Sequence, residues 1–125
     1  SKQWVSEVAK NANAQFIILE KKRLGDNEVQ VSVPQVEKYK NHIPVLVDDI
    51  ISTAHTMIET IGHLKNRGMK LPVCIGVHAV FSNNAFEDLK KSGTDNIITC
   101  NTIPHMSNRI DISQLVVSAI ESEIL

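Results

Sequence analysis

The 125 residues have the length of one modest domain, and a hydrophobic content of 42% is enough to bury a single core. Thirteen basic and fourteen acidic residues give a formal charge of −1, which excludes a general positive field for nucleic acid or an anionic membrane, so any anion site must be local. The first residues lack the apolar core of a signal peptide, and no apolar run approaches the roughly 18 residues of a membrane span, which predicts a cytoplasmic protein.

The N-terminal segment predicts a helix, a strand and a charged loop. Between Lys2 and Asn11 the apolar residues recur at helical spacing along one face. The apolar run at residues 16–19 is short and bounded by polar residues, which is typical of a buried strand. Residues 21–27 are charged, contain a glycine and have no periodicity, so we expect a mobile excursion there. The alternating valines of residues 29–33 predict a strand that leaves it.

A strand, a polar loop and a helix follow. Residues 43–47 form an apolar strand that we expect to stop abruptly at Asp48 and Asp49. From residue 53 to residue 65 the apolar side chains recur at helical spacing, and Gly68 stands where a helix stop signal is expected.

Further strands and helices alternate to the end of the chain. The predicted strands are residues 72–77 and 96–100, and the predicted helices are residues 84–91 and 112–121. This alternation predicts an α/β fold with a mainly parallel sheet, covered by helices on both faces. Cys74 and Cys100 lie in predicted strands without a spacing suited to zinc, so we interpret them as buried, reduced thiols.

The loop between Asp48 and Thr56 follows a predicted strand, where open parallel sheets bind their ligands. A helix that begins near Thr53 offers unpaired N–H groups and the positive end of its dipole, and the hydroxyls of Ser52, Thr53 and Thr56 add donors, a combination that favours phosphate. Asp48 and Asp49 are adjacent and cannot both point into the sheet, so at least one carboxylate can accept hydrogen bonds from vicinal hydroxyls. The pattern therefore predicts a sugar phosphate site.

The segment VLVDDIISTAHTM, residues 45–57, resembles the phosphoribosyl-binding signature of type I phosphoribosyltransferase folds. The resemblance implies that Asp48 and Asp49 bind the ribose hydroxyls. It also implies that the 5-phosphate is surrounded by Ser52, Thr53, Ala54, His55 and Thr56. The segment departs from the signature at Ser52, where many members have a third acid, and near His55, where nearly all have glycine. His55 either crowds the phosphate or donates to it. An ordinary strand end followed by a Ser/Thr helix cap is the alternative to this assignment.

Three further segments resemble the ribose-phosphate pyrophosphokinase family. EKKRLGDNEVQV resembles its flexible catalytic loop, GVHAVFSNNAFEDL its strand with a His and a Phe-Ser pair, and CNTIPH followed by IDISQLVVSAI its closing strand, loop and helix. The resemblance implies transfer of the diphosphate of MgATP to ribose 5-phosphate, giving phosphoribosyl diphosphate and AMP for nucleotide biosynthesis. Lys21 and Arg23 fall on the Lys-x-Arg pair of the loop, and are implied to be catalytic because a mobile cationic pair can neutralise phosphoryl oxygens.

The same resemblance has implications for domain organisation and partners. It implies that residues 1–125 are an N-terminally incomplete phosphoribosyltransferase-like domain, the C-terminal half of a two-domain, homo-oligomeric protein, without the family's first strand. It implies ribose 5-phosphate and ATP as ligands, Mg²⁺ as a cofactor with ligands mostly outside this chain, and neither nucleic acid nor membrane as a partner. The isolated chain is expected to be inactive.

Two alternatives stay open. A non-catalytic regulatory or scaffolding relative is favoured by His55, although the Lys21 and Arg23 pair argues against it. A nucleobase phosphoribosyltransferase shares the two acids and the Thr-rich loop, although HAVFS and CNTIPH do not fit it. We interpret His78 at its strand end as a structural residue, and do not assign catalysis to Asn101 or Thr102, which are placed similarly.

Overall fold

The computed structural model describes residues 2–25 and 29–125. The helices are α1 (Lys2–Asn11), α2 (His55–Asn66), α3 (Ala85–Lys91) and α4 (Ser113–Glu123). The strands are β1 (Glu20–Arg23), β2 (Val29–Ser32), β3 (Val45–Ile51), β4 (Val73–Ala79), β5 (Asn96–Cys100) and β6 (Asn108–Ile110), and a 3-10 turn, Glu37–Tyr39, precedes β3. No helix in this described part of the chain combines the length and the apolar character that crossing a membrane requires.

Four strands form one parallel sheet in the order β3-β4-β5-β6. The chain passes from β3 through α2 to β4, and from β4 through α3 to β5, so the carboxyl ends of these strands lie along one edge of the sheet. The predicted α/β class, with a parallel sheet and flanking helices, is confirmed. The predicted bounds of α1 and β5 are also confirmed, and those of α2, α3 and α4 agree within two residues.

The main core lies between the sheet and the two helices that connect its strands. Its buried members are Ile51, Ala54, Met57, Ile61, Cys74, Ala85, Leu89 and Ile97. Met57 and Ile61 are one helical turn apart on α2, so the apolar periodicity that predicted this helix also defines its buried face. Because Ile51 and Ala54 flank the loop after β3, the same core fixes both ends of that loop.

An antiparallel hairpin of β1 and β2 packs against α2. Its apolar contact is a second cluster of Val31, Val33, Val36 and Leu64. One hydrogen bond adds to it, because the Val31 N–H donates to Glu59 Oε1 on α2 over 3.1 Å. The hairpin is therefore anchored to the helix that begins at the predicted phosphate loop.

Two predictions for the N-terminal segment are wrong. Residues 16–19 are not a strand, and Phe16 is 46% exposed, while Ile17 and Leu19 pack as irregular chain against the second cluster. The strand begins instead at Glu20, because its pairing partner is β2, in a register from Glu20 opposite Ser32 to Arg23 opposite Val29. The expected excursion is likewise corrected for residues 21–23, which belong to β1, whereas residues 26–28 lie outside the described residues.

The predicted end of β3 is also wrong. The strand continues through Asp48 and Asp49 to Ile51, which pairs with Ala79 of β4. Polar side chains do not end it, because each carboxylate accepts the N–H of the next residue while pairing with β4 goes on. The three-residue strand β6 was not predicted, since its sequence is too short for an alternating pattern.

Candidate functional site

A cleft of about 460 Å³ lies at the carboxyl end of β3. Its lining residues are Arg23, Asp48, Ile50, Ile51, Ser52, Thr53, Ala54, His55, Thr56 and Met57. They come from the hairpin, from β3, from the following loop and from the first turn of α2. The structure thus brings Arg23 to the segment in which the sequence predicts a sugar phosphate site.

The nine residues predicted for the site are not all placed alike. The five residues from Ser52 to Thr56, which span the loop after β3 and the start of α2, line the cleft together with the half-buried Asp48. Asp49 is exposed and is not among the lining residues. The backbone of Lys21 lies in β1, but its side chain is outside the part of the chain that the structure describes. The roles of all nine residues stay predictions.

The two carboxylates are linked to each other and to the backbone. The Asp49 N–H donates to Asp48 Oδ1 over 3.0 Å, and the Ile50 N–H donates to Asp49 Oδ1 over 2.8 Å. While the Asp48 carboxyl carries its proton it can donate to the Asp49 carboxylate, and this hydrogen bond, followed by that from the Ile50 N–H, lowers the pKa of Asp49 below its usual value. Asp49 is therefore ionised at neutral pH, and an ionised carboxylate accepts hydrogen bonds from hydroxyls without competing as a donor.

The loop after β3 reaches α2 through a left-handed residue. Ala54 has φ 64° and ψ 12°, a conformation that favours glycine, whereas His55 already has helical backbone angles. The residue whose backbone conformation favours glycine is thus Ala54, one residue before His55. The His55 side chain is exposed and lines the cleft.

The first turn of α2 presents backbone donors to the cleft. The first helical hydrogen bond runs from the Ile58 N–H to the Ala54 carbonyl oxygen over 2.9 Å, so the amides of residues 55–57 precede it. A weak contact of 3.4 Å joins the His55 N–H to Thr53 Oγ1, and no side-chain cap is present at this helix end among the described residues. Such a turn can accept an anion at the positive end of the helix dipole.

A second loop, residues 80–84 after β4, supports the first. Ser52 Oγ lies 2.7 Å from Ser82 Oγ, and the Ser82 N–H donates to the Ser52 carbonyl oxygen over 2.9 Å. Ser82 was not among the predicted site residues. The adjacent asparagines were the available signal, because Asn83 adopts the left-handed conformation that asparagine tolerates in turns.

The polar residues at the ends of β4 and β5 have partners within the fold. His78 Nδ1 lies 2.7 Å from Thr102 Oγ1. Asn101 Nδ2 donates to Asp111 Oδ1 over 3.0 Å, and its Oδ1 accepts the Ile112 N–H. These contacts agree with the structural interpretation of His78, Asn101 and Thr102.

The described residues do not form a metal centre. Within residues 2–25 and 29–125, no three or more His, Cys, Asp or Glu side chains are grouped so that they could hold a metal ion. Asp48 is the one carboxylate among the residues that line the cleft. A nucleotide-bound Mg²⁺ takes one or two carboxylates besides phosphate oxygens and water, so Asp48 would supply at most one protein ligand, and the other ligands would come from the substrate, from water or from residues outside this cleft.

Comparison with known proteins relates most of the chain to one family. The family model for the phosphoribosyl transferase domain matches residues 1–113. The ribose-phosphate pyrophosphokinase of Methanopyrus kandleri is 30% identical over 122 residues, which are 98% of this chain and 42% of that protein.

Two further relatives bear the same name. The protein of Sulfurisphaera tokodaii is 34% identical over 107 residues, covering 84% of this chain and 36% of the relative. The protein of Helicobacter pylori is 33% identical over 110 residues, which are 88% of this chain and 34% of the relative. The chain spans less than half the length of these relatives, and the matches confirm the resemblance seen in the sequence.

Proposed function

The chain belongs to the phosphoribosyl transferase domain family, and on that premise we propose that it carries the ribose 5-phosphate site of a ribose-phosphate diphosphokinase. The observation that carries the proposal is the single cleft shared by Arg23, Asp48 and the loop from Ser52 to Thr56. A cationic side chain, a hydroxyl acceptor and a helix N-terminus in one cleft match the chemistry of a phosphorylated sugar.

The 5-phosphate is proposed to bind at the start of α2. The amides of Thr56 and Met57, together with the hydroxyls of Ser52, Thr53 and Thr56, supply donors on one side of the cleft. Phosphate oxygens accept hydrogen bonds from these donors, and the positive end of the α2 dipole attracts the negative charge of the phosphate. His55 lines the same space and is proposed to donate to the phosphate rather than to exclude it.

The ribose hydroxyls are proposed to donate to the carboxylates of β3. Asp48 lines the cleft directly, and the lowered pKa of the exposed Asp49 keeps that carboxylate ionised to more acidic pH than usual. A diol bound at two adjacent carboxylates keeps the sugar in one orientation. The anomeric hydroxyl is then free to face a second substrate.

The reaction that we propose is transfer of the β,γ-diphosphate of MgATP. The O1 oxygen of ribose 5-phosphate attacks the β-phosphorus, the bond from that phosphorus to the α,β-bridging oxygen breaks, AMP leaves with that oxygen, and the hydroxyl proton is released to water. Negative charge gathers on the phosphoryl oxygens, where Arg23 suits bidentate contact and Lys21 is proposed to assist it. The products are phosphoribosyl diphosphate and AMP.

The remaining components of the proposal concern the complete protein. Mg²⁺ enters as part of the MgATP substrate, its protein ligands are proposed to lie mostly outside this chain, and no step is assigned to a metal that this chain holds. The complete protein is proposed to be a homo-oligomer that acts in nucleotide biosynthesis. A cytoplasmic location is supported by the buried, free thiols of Cys74 and Cys100.

A non-catalytic relative is the second candidate, and the observation that favours it is the His55 side chain in the cleft. If that side chain occupies the phosphate position, the fold persists without substrate binding. Binding of ribose 5-phosphate separates the two candidates.

The test is a titration of ribose 5-phosphate followed by amide chemical shifts, with ribose as the unphosphorylated control. We expect saturable shifts at residues 48–56, a weaker response to ribose, and a reduced response in Asp48→Asn. Asp95→Asn is the matched control, because Asp95 is exposed and precedes β5 at the opposite edge of the sheet. A folded protein without any response would refute the proposal. AMP formation from MgATP by the complete protein then tests the reaction.

A further inference from the structure

The loop after β4 is joined to the predicted phosphate loop by two hydrogen bonds and to the last residue of β3 by a third. Ser52 Oγ and Ser82 Oγ are 2.7 Å apart. The Ser82 N–H donates to the Ser52 carbonyl oxygen over 2.9 Å, and the Phe81 N–H donates to that of Ile51 over 2.8 Å. Ser52 lines the cleft but Ser82 does not, so Ser82 reaches a ligand through Ser52.

The direction of the hydroxyl contact decides what Ser52 can offer. Each hydroxyl has one proton, and in this pair either oxygen can be the donor. If Ser52 donates to Ser82, its proton is used within the fold. If Ser82 donates to Ser52, the Ser52 proton is left for an acceptor in the cleft. An ionised phosphate oxygen is an acceptor only, so a hydrogen bond from Ser52 to it requires the second arrangement.

Ser82 is presented by a loop whose shape is fixed by packing. Phe81 and Asn83 on either side of it both have positive φ, 44° and 53°. The Phe81 ring packs against His105 and Phe86, with centroid distances of 4.6 Å and 5.1 Å. Phe86 and His105 are also in contact, at 4.6 Å. This aromatic cluster holds an unfavourable backbone in place, and Ser82 therefore keeps a fixed position beside Ser52.

We infer that Ser82 is a positioning residue for phosphate recognition, which donates to Ser52 Oγ and so directs the Ser52 proton at the 5-phosphate. The inference deepens the proposed function and rests on it. It assigns to the loop after β4 a part in distinguishing ribose 5-phosphate from ribose. Ser82 itself touches neither the phosphate nor the reacting atoms.

The experiment measures the dissociation constants of ribose 5-phosphate and ribose for the complete protein and its variants. In Ser82→Ala we expect ribose 5-phosphate to bind about threefold to tenfold more weakly, as for loss of one hydrogen bond, and ribose to bind as before. Ser82→Thr keeps the hydroxyl and should restore the affinity. Ser122→Ala is the matched control, since it removes the same atom from the exposed helix α4.

A double-mutant cycle separates positioning from general structural support. In a Ser52→Ala background, Ser82→Ala should have no further effect, because the proton that it directs is gone. Should Ser82→Ala fail to fold, Ser82→Cys keeps a similar shape with a weak donor and should still weaken ribose 5-phosphate selectively.

The outcomes distinguish the two claims. If the unmodified protein does not bind ribose 5-phosphate, the proposed function is wrong and this inference with it. If it binds but Ser82→Ala binds equally well, only the inference is overturned. Equal weakening of ribose and ribose 5-phosphate, or additive effects of the two substitutions, would also overturn it, because Ser82 would then support the fold alone.

Discussion

Ala54 combines two properties that oppose each other. Its left-handed backbone costs a residue with a Cβ roughly 1–2 kcal/mol relative to glycine. Its methyl group is buried in the core, which is worth about 0.8 kcal/mol, and glycine would lose a further 0.4–1 kcal/mol or so through the entropy of the unfolded chain. These contributions nearly cancel, so alanine is tolerated at a loop position where close approach of a ligand would favour glycine.

The lowered pKa of Asp49 leads to a prediction about the titration of this residue. The Asp48 side chain is the largest cause of its lowered pKa, so Asp48→Ala should raise the pKa of Asp49 towards its usual value of about 4. Carboxyl carbon chemical shifts, followed between acid and neutral pH, measure this directly. An unchanged midpoint in Asp48→Ala would contradict the assignment.

The lowered pKa of Asp49 also makes the stability of the fold depend on pH. Because the folded pKa lies below the unfolded one, the contribution of Asp49 is fully present above the unfolded pKa and is lost as the pH falls through the folded value. Asp49 is exposed, so water and salt screen this contribution and it should be small.

At the scale of elements, β4 and the end of β3 meet at a glycine. A Cβ on Gly76 would lie 2.5 Å from Ile51 Cδ1, and Ile51 is 1% exposed. We expect Gly76→Ala to destabilise the protein by about 1–3 kcal/mol through overpacking. Since Ile51 precedes Ser52, binding of ribose 5-phosphate should weaken as well.

Gly62→Ala is the matched control for that substitution. Gly62 lies within α2, and a Cβ there would meet no atom within 4 Å. Alanine should therefore stabilise the helix by about 0.5–1 kcal/mol. Urea unfolding of both variants measures the opposite signs, and a destabilised Gly62→Ala or a neutral Gly76→Ala would show that the packing is assigned incorrectly.

The hairpin and α2 are connected through one carboxylate. Glu59 Oε1 accepts the N–H of the buried Val31, whereas His63 Nε2, 3.6 Å from the same oxygen, is too distant for a hydrogen bond. Glu59→Ala leaves the Val31 N–H without its acceptor and should cost about 1–3 kcal/mol, whereas Glu59→Gln keeps an acceptor and should cost less.

Hydrogen exchange at the Val31 amide measures this connection locally, and urea unfolding measures it globally. Glu121→Ala, on the exposed helix α4, is the control for loss of a glutamate. Equal exchange of Val31 in Glu59→Ala and the unmodified protein would mean that the apolar cluster alone holds the hairpin.

At the scale of the whole molecule, the sequence was informative where one periodicity described an element. The bounds of α1 and β5 follow from local spacing, as does the parallel sheet from the alternation of strands and helices. Residues 16–19 were assigned incorrectly because apolar character alone does not identify the strand with which a segment pairs. β1 was missed because its charged residues form a strand only by pairing with β2. Strand pairing depends on residues distant along the chain, which a local pattern does not contain.

The candidate site was predictable to a similar degree. The loop from Ser52 to Thr56 was found because its residues are consecutive and their chemistry is local. The meeting of Arg23 with that loop, and the contact between Ser52 and Ser82, required the fold, because these residues are about 30 positions apart. The left-handed Ala54 was missed because its sequence neighbourhood points to His55 instead.

Helix α2 begins at the predicted phosphate loop and, one turn later, contacts the hairpin that carries Arg23. The same helix therefore contacts both the loop and the hairpin that line the cleft. An anion that orders the first turn of α2 should also favour packing of the hairpin against α2. By reciprocity, packing of the hairpin should raise the affinity for the anion. If ribose 5-phosphate and MgATP bind as proposed, binding of the sugar phosphate should therefore raise the affinity for the nucleotide.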